Sequence, residues 1–111
     1  MWECMAHEGN RRPWAGAEPG LKRIHRRLFR LNENIAKLEE EARNVDAELE
    51  YHRSIDEDAQ RDAAVGNYID REEAGLTAAD VRRFEKTLAD LNSKRDALVT
   101  KRDRLLTTLP N

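Results

Sequence analysis

The sequence is poor in aromatic residues, which make up only 5% of its 111 positions. Aromatic side chains supply much of the area buried in a globular core, so their scarcity excludes a domain with a thick core. Charged residues make up 38% of the chain. Such a composition is typical either of a long helix or coiled coil or of a disordered chain, and an apolar period distinguishes the two.

The chain also has few cysteines and no long apolar run. Cys4 is its single cysteine, so an internal disulfide is excluded and a reducing compartment is favoured. No segment approaches the roughly 20 apolar residues that cross a membrane, and residues 1–20 contain no signal-peptide core. We therefore expect a cytoplasmic protein without a membrane partner.

Motifs that carry catalysis or bind cofactors are missing as well. The chain has no glycine-rich phosphate loop and no nucleophile elbow. Cys4 and His7 have a spacing found in metal sites, but two ligands do not form a zinc site, and His25 and His52 lie far along the chain. A slender helical protein also lacks a cavity that excludes water. The sequence therefore predicts no enzyme, no metal and no cofactor.

What the chain does have is a long apolar period. Beginning at Leu21, apolar residues alternate at intervals of three and four over four heptads. They are Leu21, Ile24, Leu28, Leu31, Ile35, Leu38, Ala42, Val45 and Leu49. This pattern is typical of a coiled-coil helix with a left-handed supercoil. Val81 starts a second stretch with the same alternation, in which Arg95 and Arg102 occupy two of the positions.

The residues around Gly75 predict a turn between two helices. Gly75 suits a helix C-cap, and Thr77 suits the N-cap of the next helix. Asp80 then stands at the third helical position, as in a variant of the capping box. A turn at residues 75–77 is short, so the two helices should be antiparallel neighbours.

The predicted fold class is all-α: a long antiparallel helical hairpin, or coiled coil, over residues 21–109 with a longer first helix. The first helix would span about residues 21–74 and the second about 78–108. Gly66–Asn67 interrupts the first helix at a point where a kink or break is expected, because an interior glycine costs about 1 kcal/mol relative to alanine. Residues 1–20 contain glycine and proline but no period, and we expect them to form a disordered tail.

A turn near residue 76 would leave part of the first helix without a partner. Facing residues would have numbers that sum to about 152, so Arg102 would face Glu50 and the second helix would end opposite residue 43. Six apolar positions would then stay uncovered, namely Leu21, Ile24, Leu28, Leu31, Ile35 and Leu38. The sequence therefore favours a small interaction or adaptor protein that pairs through residues 21–49, either with a second copy of itself or with a heterologous coiled-coil partner.

The start of the first helix is strongly basic. Its cations are Lys22, Arg23, Arg26, Arg27 and Arg30. Such a cluster can contact the phosphates of nucleic acid or of another polyanion. Because the cluster is short and the net charge of the whole chain is -2, polyanion binding is an alternative function and not the favoured one.

Carboxylates would surround the predicted turn. They are Asp70, Glu72, Glu73 and Asp80. A long antiparallel hairpin with carboxylates at its tip resembles the N-terminal arm of the Gre transcript-cleavage factors and of the DksA-type regulators, and the resemblance is one of architecture. It implies a second alternative function, in which the tip enters the secondary channel of RNA polymerase and regulates the enzyme.

Overall fold

A computed structural model describes the backbone of residues 18–109 and the side chains of residues 20–109. Helix α1 spans Glu18–Val65 and helix α2 spans Tyr68–Leu106, and they pack along each other. The predicted all-α antiparallel hairpin with a longer first helix is confirmed. Most of the expected tail, residues 1–17, lies outside the described residues, whereas Glu18–Gly20 belong to α1.

The turn is not where the sequence analysis placed it. Gly66 and Asn67 connect the helices, whereas residues 75–77 lie inside α2. Within the described part of the chain no glycine has a positive φ, so Gly75 has the ordinary helical backbone and not that of a C-cap. The predicted turn at 75–77 is therefore wrong, and the predicted interruption at Gly66–Asn67 is the reversal of the chain.

Asn67 begins α2 with a capping box. Its Oδ1 accepts hydrogen bonds from the backbone N–H groups of Ile69 (3.0 Å) and Asp70 (3.2 Å), and Asp70 Oδ2 accepts one from the N–H of Asn67 (3.3 Å). These bonds satisfy amides that a helix start leaves without partners, and an N-cap of this kind is worth about 1 kcal/mol.

Gly66 fits the turn because it has no side chain. A Cβ atom on it would lie 2.5 Å from the carbonyl oxygen of Asp62 and closer still to the carboxylate of Asp70. Gly75 differs, since a Cβ atom there would meet nothing within 4 Å. The tight approach of backbone and cap at Gly66 explains why the reversal is found there.

The seam between the helices keeps its three-four alternation along the whole hairpin. Past Leu49 it continues on α1 through His52, Asp56, Ala59, Ala63 and Gly66, all of them shielded. On α2 it begins before Val81, at Asp70, Ala74 and Thr77. The period therefore neither shifts nor stops after Leu49. Polar residues occupy several seam positions there, so the apolar residues alone do not reveal the period.

These polar residues have partners across the seam. Thr77 Oγ1 donates to Asp56 Oδ1 (2.8 Å), and the Gln60 side chain donates to Asp56 (2.9 Å) and to the carbonyl of Ala74 (3.0 Å). The amide of Gln60 and then the hydroxyl of Thr77 hold the pKa of Asp56 below its usual value. Thr77, the expected N-cap, thus contributes to the seam instead.

Contacts between the helices fix their register. Asp56 lies opposite Thr77, and Asn32 accepts a hydrogen bond from Arg102 (3.4 Å), so the numbers of facing residues sum to 133 or 134 and not to 152. The predicted pairing of Arg102 with Glu50 is wrong. On the observed register Leu106 lies near Leu28, so α2 runs alongside α1 from about residue 28 to the turn, and about the first ten residues of α1 extend beyond it.

Within residues 18–109, neither helix contains an apolar stretch that could span a membrane. The cytoplasmic location stays a prediction.

Candidate functional site

The six residues predicted to bind a partner belong to the seam of the hairpin. Ile35 is buried, with 4% of its surface exposed. The other five are half-buried, namely Leu21, Ile24, Leu28, Leu31 and Leu38. For Leu28, Leu31, Ile35 and Leu38 the expectation that they lack a partner within the chain is wrong, because the observed register brings α2 alongside them. Leu21 and Ile24 lie beyond the last residue of α2.

The tip of the hairpin is apolar. Val65 ends α1 with 90% of its surface exposed, and Tyr68 and Ile69 begin α2 with most of theirs exposed. Leu76, also exposed, lies seven residues after Ile69 and hence on the same face of α2. Val65 and Tyr68 fall inside the predicted first helix, residues 21–74, so the sequence did not indicate this surface.

The predicted tip carboxylates do not form a cluster at the turn. Asp70 is next to the turn, where it closes the capping box. Glu72 and Glu73 are exposed on α2 beyond it. Asp80 lies further along α2 and pairs with Arg83 at 2.6 Å. Asp70, Glu72 and Glu73 therefore lie in the first two turns of α2 beside the reversal, and Asp70 alone takes part in the capping box, whereas the placement of Asp80 at the tip is wrong.

The end of the rod-shaped hairpin opposite the turn is basic. We call it the open end and define it as residues 20–34 together with residues 100–109. It contains eight Lys and Arg against two Asp and Glu, a net charge of +6 with histidine neutral. All five of the predicted polyanion-contact residues are exposed there, namely Lys22, Arg23, Arg26, Arg27 and Arg30.

Helix α2 adds to this cluster, which the predicted register could not show. Lys101 lines a shallow cleft together with Arg27, Arg30 and Asn34 of α1. Arg104, one turn further, is exposed. Cations from both helices thus converge on one end of the molecule.

The open-end cations have few carboxylates to neutralise them. Among residues 20–109, the ion pairs lie mostly along the middle of the rod, as in Arg53–Glu85 at 3.2 Å between the helices. No ion pair within that range includes the five cations of the α1 start or Lys101. Their charge is available to an external anion.

Phe29 lies among these cations and is itself exposed, at 66% of its surface. It forms a shallow surface depression together with His25, Arg26 and Arg30. An exposed aromatic ring between guanidinium groups is the combination that binds unpaired bases, because the ring can stack while the cations contact phosphate. Sequence analysis did not single out Phe29, although its spacing from Arg26 and Arg30 places all three on adjoining faces.

The described surface offers no enclosed site for chemistry. Its clefts are shallow grooves along the seam, such as the one that Ile55, Asp58 and Asp62 line near the tip. Across residues 20–109, no three His, Cys, Asp or Glu side chains come together as metal ligands would. The pair Cys4 and His7 lies outside the described residues.

Comparison of the chain with models of protein families, with curated proteins and with solved structures gave no match. What the fold defines is a class: an antiparallel α-helical hairpin with a basic open end and an apolar tip. These two ends are the surfaces on which a function can be argued.

Proposed function

We propose that the protein is a non-catalytic interaction module whose open end binds the phosphate backbone of a single-stranded nucleic acid. The observation that carries this proposal is the convergence of basic residues from both helices without matching carboxylates. Exposed Lys and Arg that contact phosphates release bound counterions, which supplies sequence-independent affinity. A net charge of -2 for the whole chain does not oppose such binding, because 17 of its 22 acidic residues lie between residues 35 and 99, outside the open end.

Phe29 favours a single strand over a duplex as the ligand. Its ring is exposed beside Arg26 and Arg30, so a base can stack on it while the neighbouring phosphates meet the guanidinium groups. Stacking of this kind contributes about 1–3 kcal/mol per base. In a duplex the bases are already stacked on each other and cannot use the ring.

The observed register bears differently on the other two functions inferred from the sequence, the adaptor role and the regulation of RNA polymerase. An adaptor role remains a proposal, but α2 covers the apolar positions from Leu28 to Leu49, so partners would use the ends of the rod. Regulation of RNA polymerase was inferred from carboxylates at the point of the turn, where the exposed side chains are those of Val65, Tyr68 and Ile69, with Glu72 and Glu73 beside them. The polymerase function therefore remains the weaker proposal.

The test is fluorescence anisotropy with a labelled single-stranded oligonucleotide and with a duplex of the same sequence, over a range of salt concentrations. The variant Arg26→Glu/Arg30→Glu should bind at least tenfold more weakly than the natural protein, because two phosphate contacts become repulsive. The slope of log Kd against log salt should fall by about 1.4, since each single-strand phosphate contact contributes about 0.7.

A matched control is Arg82→Glu/Lys94→Glu, which makes the same change of charge at exposed positions of α2 away from the open end. It should bind nearly as the natural protein does. Phe29→Ser should weaken binding of the single strand and leave any duplex binding unchanged. Equal loss in both charge variants, or binding to anionic vesicles but to neither oligonucleotide, would contradict the proposal.

A further inference from the structure

The apolar tip lies in an acidic part of the molecule. Residues 58–73, which form the turn and the two helix ends beside it, contain five Asp and Glu against two Arg, a net charge of -3. Within this segment Val65, Tyr68 and Ile69 are exposed. A cluster of exposed apolar side chains at one point of a water-facing surface is typical of a site where another molecule docks.

The open end is complementary to the tip in charge and, like the tip, exposes apolar side chains. Its net charge is +6, and it too exposes apolar side chains, those of Phe29 and Leu106. Contact between two tips would place acidic residues against acidic residues, and contact between two open ends would place basic against basic. Contact of a tip with an open end joins opposite charges around apolar side chains.

We propose that the tip of one molecule docks on the open end of a second copy, so that the protein associates head to tail. A contact of this kind uses two different surfaces and is heterologous, so it leaves one free tip and one free open end on every pair. The inference shares the open end with the proposed nucleic-acid site but rests on the tip, and either can fail without the other.

Two properties of the association follow from the small size of the tip. A few side chains offer much less than the roughly 800 Å² that each partner buries in a standard interface, so the association should be weak and should grow with concentration. Because opposite charges surround the contact, it should also dissociate at high salt. A single-stranded oligonucleotide on the open end would block it.

The carboxylates around the tip favour a second copy of the protein over a lipid surface as the partner that docks on the tip. Membranes that carry anionic lipids repel carboxylates, and the exposed Glu72 and Glu73 stand next to the apolar residues. The open end of another copy attracts the same carboxylates.

Sedimentation velocity of the full chain at increasing protein concentration tests the proposal. At low salt the weight-average sedimentation coefficient should rise with concentration, and at high salt it should stay at the monomer value. Glu72→Lys/Glu73→Lys should remain monomeric at low salt, and so should Arg26→Glu/Arg27→Glu. All four positions are exposed, and circular dichroism checks that each variant keeps its helices.

An equal mixture of these two variants is the decisive sample. The first variant keeps the natural open end, with a net charge of +6, and the second keeps the natural tip, with a net charge of -3. These two unchanged surfaces can bind each other, so mixing should restore association in pairs. Two monomeric variants that stay monomeric together, or a natural protein that is monomeric at every concentration at low salt, would overturn the proposal.

Apolar contact is tested separately. Val65→Ser/Ile69→Ser should reduce the association at least tenfold, whereas Tyr51→Ser changes an equally exposed apolar residue in the middle of the rod and should leave it unchanged. Equal effects of both variants would overturn the assignment of the contact to the tip. A closed dimer of constant mass, insensitive to either charge variant, would overturn head-to-tail association.

Discussion

At the scale of single residues, two glycines provide matched substitutions. Gly66→Ala should lower the free energy of unfolding by about 1–3 kcal/mol, because the added Cβ atom would crowd the carbonyl of Asp62 and the cap carboxylate of Asp70. Gly75→Ala should raise it by about 0.5–1 kcal/mol, since this glycine is inside a helix with free space around it.

Urea unfolding followed by circular dichroism measures both changes. If the chain turned at Gly75, alanine would be tolerated at Gly66 and costly at Gly75, so the opposite order of stabilities would contradict the observed turn.

Asp56 should make the hairpin sensitive to acid. The hydrogen bonds from Gln60 and Thr77 lower its pKa in the folded state, so its contribution to stability is fully present above the ordinary pKa of 3.8 and is lost as the pH falls through the lower, folded-state value. Asp56→Asn should therefore lose less stability than the natural protein on acidification from neutral pH to below that range.

Thermal unfolding at several pH values measures this difference. Asp46→Asn removes a carboxylate at an exposed position of the same helix and controls for the general loss of negative charge. An Asp56→Asn profile that follows the natural protein's profile at every pH would contradict the assigned role of Asp56.

At the scale of helices, burial in the seam determines which apolar residues contribute to the free energy of unfolding. Leu49 is 1% exposed, and Leu49→Ala should cost about 2–5 kcal/mol through lost burial and the cavity left behind. Val65→Ala removes a similar apolar group at an exposed position and should change stability by less than about 0.5 kcal/mol. Urea titration of both variants measures the difference, and similar costs would contradict a core on the seam.

The helices and their antiparallel arrangement could be predicted because the apolar period is strong from Leu21 to Leu49 and again from Val81 to Leu109. The turn could not, because two sites in the chain resemble helix ends. Gly75 followed by Thr77 has the residue types of a cap, but a helix tolerates an interior glycine at about 1 kcal/mol, and Thr77 is satisfied by Asp56. The sequence Asn67 to Asp70 carried the true signal, since Asp at the third helical position can close a capping box.

The site was harder to predict than the fold, because it depends on which distant residues meet. The basic start of α1 could be read from the sequence directly. Lys101 lies beside Arg27 and Arg30 only in the observed register. Moving the turn by nine residues shifts the pairing of the two helices by about twice that number of residues, so the predicted turn did not bring them together. The apolar tip was missed for the same reason, because with a turn at Gly75 the residues Val65 and Tyr68 would have packed in the seam.

At the scale of the whole molecule, the register can be measured as a distance. Spin labels on Glu33→Cys and Lys101→Cys, in a chain with Cys4→Ser, should be less than about 25 Å apart, because these residues lie across the seam from each other. With a turn near residue 76, Lys101 would instead lie opposite residue 51, about 27 Å further along the rod at 1.5 Å per residue.

Pulsed electron resonance measures that distance directly. Labels at Glu33→Cys and Glu72→Cys serve as a control, since these residues lie toward opposite ends of the rod in the observed hairpin. A distribution centred well beyond 25 Å for the first pair would contradict the register.

The capping box also gives the hairpin an unequal resistance to local opening along its length. Residues beside the turn are held by bonds only two or three positions apart in sequence, whereas the bond from Arg102 to Asn32 joins residues 70 positions apart. Closing a long loop costs more entropy than closing a short one, so separation of the helices should begin at the open end. Amide hydrogens there should exchange fastest, and a nucleic acid that holds both helices together should slow them while leaving those next to Asn67 unchanged.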